Sequence, residues 1–404
     1  MLMVHKFGGT SLADTQKIRN AAARVVETKR QGNGVLVVVS AMDDTTDKLI
    51  KLAGEITDEP SKREMDVLLS TGEQVSAALL AMAINDFGEK AVSLTGSQAG
   101  IGTDERYGDA RITKINPTRL HNELKAGHIP VVTGFQGISD TGAVTTLGRG
   151  GSDTTAVALA AAVHADLCEI FTDVEGIYTT DPWMVPEARK LESISYDEML
   201  VLASLGEAVL QPQSVKYAQK HNIKLHVRSS FTKRPGTIVQ GAEPFQKGVS
   251  ISGIAYDLNV ANLLLYEFPN DMLMYNKIFD SLVAHGITAD ITVQSTTRNN
   301  LNRVSIVITK DNLQKAVRAL QVIEEVSLNE NFFYNENVAK VSIVGSGHLA
   351  DPQVMGNLFQ AIAEVGSNVQ MINSTEIWMS CIVDVDKVGD IVRIIHSRLQ
   401  LGHG

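Results

Sequence analysis

Met3-Val-His-Lys-Phe-Gly-Gly-Thr-Ser-Leu-Ala13, almost at the start of the chain, reads as a short strand, a glycine turn and the approach to a helix. Lys6 stands near the end of the apolar run Met3 to Phe7, and Gly8, Gly9, Thr10 and Ser11 follow it. Glycines let backbone N–H groups come close to a phosphate, a helix N-terminus adds positive potential, and a lysine supplies a mobile full charge. The string has the makings of a phosphate cradle, built by another route than the P-loop, whose Gly-x-x-x-x-Gly-Lys-Ser/Thr pattern does not occur here. Taken alone, Gly-Gly-Thr-Ser after a strand is more often an ordinary turn, so its surroundings decide.

Those surroundings repeat the strand-and-helix alternation. A helix from about Ala13 places Ile18, Ala22, Val25 and Val26 on one face, and Gly32 and Gly34 supply its stop and turn. Further apolar runs follow at Val35 to Val39, Ile129 to Thr133, Leu167 to Thr172 and Lys224 to Val227, with helical patterns between them. Such alternation predicts an α/β domain around a mostly parallel sheet. The chain has 404 residues, which suggests two or three domains. Hydrophobic residues at 44% and charged residues at 20% predict an ordinary folded protein.

Acidic residues outnumber basic ones, 46 to 36, and no long basic run or aromatic-basic patch is present to follow a nucleic-acid backbone. Neither the N-terminus nor the alanine-rich stretch broken by His164 and Asp166 has the apolar length of a signal or a membrane span, so a cytoplasmic protein is expected. Cys168 and Cys381 each sit in an apolar run without a partner at metal-ligand spacing, and are expected to be buried structural thiols.

Residues 231–247 hold Lys233, Arg234, Pro235, Gly236 and Gly241 without sustained periodicity, and are expected to be a linker between a domain at 1–230 and another at 248–404. The second domain looks duplicated. Lys277-Ile-Phe-Asp-Ser-Leu282, Gly286 and Ile291 recur 80 residues on as Asn357-Leu-Phe-Gln-Ala-Ile362, Gly366 and Met371, each copy reading strand, helix, turn, strand. Two small α+β modules with no cluster of His, Asp and Glu suggest a binding or assembly unit; a purely structural dimerisation domain is the alternative.

Two more strings carry chemistry. Thr145-Thr-Leu-Gly-Arg-Gly-Gly-Ser-Asp-Thr-Thr155 runs into the alanine-rich helix, and Arg149 offers a fork that grips a carboxylate in two places. Ser152 or Asp153 is expected to cap that helix, unless Asp153 accepts from a substrate ammonium. Phe171-Thr-Asp-Val-Glu-Gly-Ile-Tyr-Thr-Thr-Asp-Pro182 leaves a strand at its carboxyl end, where ligands of open α/β sheets collect, although a plain surface loop fits it equally well.

Together with Val39-Ser-Ala-Met42, Ser70-Thr-Gly-Glu73 and Gly134-Phe-Gln-Gly137, these strings closely resemble the aspartate kinases of the amino-acid kinase superfamily, over essentially the whole chain. The resemblance implies an αβα sandwich with a mostly parallel sheet, followed by two α+β, ferredoxin-like ACT modules, one inserted within the other, so that the strand around Val249 to Ile254 joins the second module. It implies phosphorylation of the β-carboxylate of L-aspartate by ATP, with Mg²⁺ carried on the ATP phosphates and no metal held by the protein. By the family pattern Lys6 bridges the reacting carboxylate and the phosphoryl group, and Asp153 shares the catalytic centre. Ser40, Thr46 and Phe135 look like substrate contacts, Glu73 and Asp153 the acids around the substrate ammonium, and Arg149 the clamp on the α-carboxylate. Lys6, Gly8, Gly9 and Ser11 resemble the phosphate turn, and Thr172, Asp173, Tyr178 and Asp181 the nucleotide side. An ionised carboxylate needs no general base, which fits a site without histidine or cysteine. Partners implied are L-aspartate, ATP, an amino-acid effector at an ACT interface, and a second copy of the chain.

The sequence departs from the family at several points. Trp183 follows Asp181-Pro182 where a basic residue is usual, Ala208 replaces a lysine, and Gln213 replaces an arginine. Loss of one phosphate-directed donor costs roughly two to three orders of magnitude in turnover where that donor stabilises the transition state. In the ACT half, the usual Asp-x-Pro-Gly turn reads Asn270-Asp-Met-Leu273 in the first copy, and Gln353 follows Pro352 in the second. Three readings result: a working aspartate kinase, a catalytically weak homologue serving as a partner subunit, and a kinase of another acidic amino acid.

Overall fold

The structure is a computed structural model and describes residues 1–205, 209–242, 250–296, 301–327, 332–346 and 351–402. Met1–Tyr178 with Lys190–Gln246 forms one compact unit, and Thr179–Arg189 with Lys247–Gly404 a second.

In the first unit the strands run β1 (Leu2–Phe7), β2 (Gly34–Val39), β3 (Ala91–Leu94), β4 (Ile101–Thr103), β5 (Ile112–Ile115) and β6 (Ile129–Thr133). They continue as β7 (Gln136–Ser139), β8 (Val144–Thr146), β9 (Leu167–Thr172), β10 (Ser193–Ser195), β11 (Leu225–Ser229) and β12 (Thr237–Gln240). The main sheet has the order β10-β12-β11-β9-β1-β2-β6-β3. Every neighbour pair in it is parallel except β11 with β12. A strand inside a parallel sheet is covered on both faces, which is why Val35 to Val39 is an unbroken apolar run and fully buried. A small second sheet has the order β5-β4-β7-β8.

Helices α1 (Thr15–Arg30), α2 (Thr45–Gly54), α3 (Lys62–Asp86), α4 (Thr118–Lys125), α5 (Gly151–Ala162), α6 (Tyr196–Ser204) and α7 (Pro212–His221) belong to the same unit. Helix α1 begins two residues later than the sequence suggests, because a 3-10 turn over Gly9–Leu12 precedes it and Asp14 caps it by accepting from the Lys17 N–H. Ile18, Ala22, Val25 and Val26 face the core with Val37, Leu80 and Ile84. Helix α3 is long and apolar enough to cross a membrane, yet half of that stretch is buried in the unit, with Asp66 and Glu73 inside.

Two expectations about domain limits change. Residues 237–240, read as linker, form β12 and pair with both β10 and β11: Thr237, Ile238 and Val239 alternate as strand residues behind the Pro235-Gly236 bend. Thr179–Arg189, expected in the first domain, belongs to the second unit. There Thr179 accepts from the Ile254 N–H at 2.7 Å, its hydroxyl meets His396 Nε2 at 2.9 Å, and Val185 joins the core.

The second unit has β13 (Ser250–Pro269), β14 (Asp290–Thr296), β15 (Leu301–Thr309), β16 (Phe332–Ser346), β17 (Met371–Ser374) and β18 (Trp378–Asp384). Its helices are α8 (Met272–Ala284), α9 (Leu313–Gln321), α10 (Glu324–Ser327), α11 (Pro352–Glu364) and α12 (Val388–Arg398). The antiparallel sheet order β14-β15-β13-β16-β18-β17 displays the duplication, with the two copies ending on opposite edges. Gly286 and Gly366 occupy equivalent left-handed turns, at φ 64° and 66°. Ile254 on β13 pairs with Ile343 on β16 and packs in the second copy's core, as the inserted arrangement requires; Val249 itself lies outside the described residues. Phe279 and Phe359, at corresponding places in the two repeated strings, are 46% and 40% exposed. Both cysteines are buried, and burial pushes the Cys381 thiol up to about 12.

Candidate functional site

The main cavity of the first unit, about 840 Å³, opens at the carboxyl ends of β1, β2 and β6. Lys6, Gly9, Ser40, Thr46, Glu73, Phe135, Arg149 and Asp153 all line it, so residues spread over the first 153 positions meet at one place. That size is in the range of sites built for small ligands.

Lys6 extends from β1 to Asp153 in the first turn of α5, with Nζ 2.6 Å from Oδ1 and both side chains about nine-tenths buried. The expected capping role of Ser152 or Asp153 is not what is found. Gly150 is the N-cap, at φ 70°, and Ser152 and Asp153 lie inside the helix, which leaves Asp153 free to hold Lys6. Glycine is needed at 150 on two counts: its φ is left-handed, and a Cβ there would come within 1.8 Å of Gln211 Cγ.

Helix α3 brings Glu73 under the loop after β2. Gly72 and Gly9 make this possible, since a Cβ on either would lie 2.9 Å from an atom of Ala41. Glu73 Oε1 accepts from the Ala41 N–H at 3.0 Å, while Oε2 is buried with no partner among the described residues. Burial raises the Glu73 carboxyl to about 7, against the opposing pull of the Ala41 N–H. A buried, half-satisfied acid at the wall of a cavity is a built-in demand for a cation.

Arg149 lies on the loop between β8 and α5, flanked by Gly148 at φ 72° and Gly150, and makes no ion pair with any described residue. Phe135 holds a left-handed φ of 68°, fixed by its N–H donating to Thr155 Oγ1 at 3.1 Å. A left-handed phenylalanine is strained, and it stands at the cavity wall.

The nucleotide-side residues are placed as follows. The Gly8 N–H donates to the Phe171 carbonyl and the Ser11 N–H to the Gly8 carbonyl, while Ser11 Oγ meets Ser230 Oγ at 2.5 Å. Thr172 Oγ1 donates to Asp173 Oδ1 at 3.0 Å, and Tyr178 pairs as an isolated bridge with Lys190. Asp181 belongs to the second unit, where Oδ1 accepts from the Trp183 N–H and Oδ2 from the Tyr256 hydroxyl. Both its oxygens are engaged within that unit. Trp183 is 96% exposed, Gln213 is exposed in the first turn of α7, and Ala208 lies outside the described residues.

Sequence reasoning missed several cavity residues, among them Asp43, Asp47, Lys62 and Asp66. A signal for Asp66 was available: it precedes Glu73 by seven residues on an apolar helix, and therefore shares its face.

Comparison with known proteins extends this picture. Residues 1–229 match the amino acid kinase family and residues 341–399 an ACT domain. The chain is 45% identical to the aspartokinase of Geobacillus stearothermophilus over 99% of its own length and 97% of that protein's. Among solved structures it is similar to E. coli aspartokinase III in complex with aspartate and ADP (R-state), with a TM-score of 0.81, 25% identity and coverage of 99% of this chain and 100% of that one. The same enzyme in complex with lysine and aspartate (T-state) matches with a TM-score of 0.78 and 25% identity, covering 98% and 99%.

Proposed function

The chain belongs to the aspartokinase branch of the amino acid kinase family, and from that premise we propose how its cavity carries out the ATP-dependent phosphorylation of aspartate. The observation that carries the reading is a pair of groups on the cavity wall with no partner among the described residues: the buried Glu73 Oε2 and the Arg149 guanidinium. An α-amino acid supplies the complement of both. Its ammonium satisfies Glu73 and its α-carboxylate takes the Arg149 fork, which leaves the β-carboxylate pointing away from the clamp.

The β-carboxylate attacks the γ-phosphorus of ATP directly, because it is already ionised; the bond from that phosphorus to the β,γ-bridging oxygen breaks and ADP leaves with the electron pair. Lys6 neutralises charge between the attacking oxygen and the transferring phosphoryl group, held for that task by Asp153. Backbone N–H groups at the N-terminus of α5 add positive potential close by. Mg²⁺ enters as part of the nucleotide substrate, on the phosphates. Ser40, Thr46 and Phe135 close the substrate side, and Gly8, Gly9, Ser11, Thr172, Asp173 and Tyr178 form the nucleotide side in this reading. In this reading the enzyme works in the cytoplasm, with its two substrates. It works as a homodimer or higher oligomer through the second unit, where Met272, Phe279 and Val283 leave an apolar strip of α8 exposed. Light scattering on Phe279→Lys/Val283→Lys should give a monomer where the parent gives an oligomer; a monomeric parent contradicts the assembly.

No observation favours a catalytically weak partner subunit, and the reading is tested by how two variants fail. Arg149→Ala should raise the aspartate KM by one to two orders of magnitude with kcat nearly kept, since it removes a ground-state contact. Lys6→Met should lower kcat by roughly two to three orders of magnitude. If both variants lost only aspartate affinity, Lys6 would have no place in the transition state.

A further inference from the structure

We propose that Asp66 is a positioning residue for the amino-acid substrate, setting the Arg149 loop at a fixed distance from Glu73. Asp66 is 1% exposed and lines the cavity, and no cationic side chain among the described residues is paired with it. It is satisfied by loop groups alone. Oδ1 accepts from the Thr146 hydroxyl at 2.6 Å, and Oδ2 accepts from the Thr146 N–H at 3.0 Å and the Gly108 N–H at 3.1 Å.

Thr146 ends β8, three residues before Arg149. Gly148 and Gly150 between and beside them are both left-handed, so this loop has little stiffness of its own. Its other support is the segment around Gly108, whose neighbour Ala110 donates to the Thr146 carbonyl at 2.9 Å. A Cβ at Gly148 would lie 3.1 Å from Asp109 Oδ1, so the two segments are in contact there as well. Asp66 therefore ties both segments to one point on α3.

The same helix carries Glu73 seven residues on, two turns along the same face. Between them the Ser70 carbonyl accepts from Gln136 Nε2 at 2.8 Å, which fixes α3 against β7. One rigid helix thus registers the group proposed to hold the ammonium and the loop proposed to hold the α-carboxylate. Substrate affinity depends on that spacing, because a bidentate clamp loses its second bond over a fraction of an ångström. The inference rests on the proposed contact between Arg149 and aspartate.

The test is a kinetic comparison of the full-length enzyme with Asp66→Ala and Asp66→Asn. Alanine removes both acceptor oxygens and with them all three bonds; asparagine keeps the shape and one oxygen. The expected result is an aspartate KM raised at least tenfold in Asp66→Ala and two- to fivefold in Asp66→Asn, with the ATP KM unchanged and kcat within threefold. Should the alanine variant not fold, the asparagine variant decides by the same split. An aspartate KM within twofold of the parent in every folded variant, or an ATP KM raised equally, overturns the proposal. The parent and Arg149→Ala, run alongside, separate this from failure of the underlying reading: if Arg149→Ala leaves the aspartate KM unchanged, the clamp itself is wrong, whatever Asp66 does.

Discussion

Glu73 serves binding at the expense of the empty protein's stability. Its carboxyl is raised from the ordinary 4.5 to about 7 by burial. A raised acid contributes its full stability below the unfolded value, and that contribution is lost as pH rises through the folded one. In the absence of aspartate the protein should therefore lose stability between about pH 4.5 and about pH 7 on account of this group. Glu73→Gln should remove the loss and raise Tm at pH 8, with little change at pH 4.5. The same variant should lose most of its aspartate affinity, because the ammonium then meets an amide. In the parent, protons compete with that ammonium, so the aspartate KM should rise about tenfold from pH 8 to pH 6. A flat pH profile over this range, or a Glu73→Gln enzyme that binds aspartate normally, contradicts the assignment. At this scale the sequence was informative about identity and poor about pairing. Lys6, Glu73, Arg149 and Asp153 were all legible from their motifs, yet the bond between Lys6 and Asp153 was not, because it joins residues 147 positions apart across a strand and a helix. Asp66 went unread for a related reason: its partners are backbone groups, which no side-chain motif displays.

Helix α5 shows how an element is positioned for chemistry. Its N-terminus is set by Gly150, which packs on Gln211 of the segment leading into α7. Gly150→Ala must place a methyl where Gln211 stands and hold a left-handed φ, at a cost of about 1–2 kcal/mol before any overlap is relieved. The helix start should shift, taking Arg149 and Asp153 with it. The expected outcome is a fall in kcat/KM of at least a hundredfold with a Tm drop of a few degrees, measured by steady-state kinetics and thermal melting. Unchanged kinetics would mean that the start of α5 tolerates movement and that preorganisation is not its role. The elements themselves were largely readable. Apolar runs located β1, β2, β6, β9 and β11; β2 from Val35 and β6 throughout are buried as strands covered on both faces, whereas β11 alternates buried Leu225 and Val227 with half-buried His226 and Arg228. Short β12 was missed because a proline, two glycines and two basic residues surround it, and its strand character comes from pairing with β10 and β11.

The whole molecule joins a catalytic unit to a duplicated second unit, and the duplication was visible in the sequence because both copies keep the same helix, glycine turn and strand at equal spacing. Its regulatory capacity is a separate matter. The helix-start donors that an effector carboxylate would use are occupied: Asp271 accepts from the Leu273 N–H and Asp351 from the Gln353 N–H. Met272 and Leu273 also project at 73% and 68% exposure where a Pro-Gly turn is usual. A ligand shifts an equilibrium only through its differential affinity for the two states. Inhibition by lysine, threonine or both together is therefore expected to be weak or absent, and sub-millimolar inhibition in activity titrations would show that these turns still bind. Catalysis itself is the central claim, and it is most directly measured by trapping the product. With purified protein, ATP, Mg²⁺, aspartate and hydroxylamine, the account predicts aspartyl hydroxamate formed at a rate that saturates with aspartate and falls by roughly two to three orders of magnitude in Lys6→Met; folded protein that gives no aspartate-dependent hydroxamate at saturating ATP would contradict it.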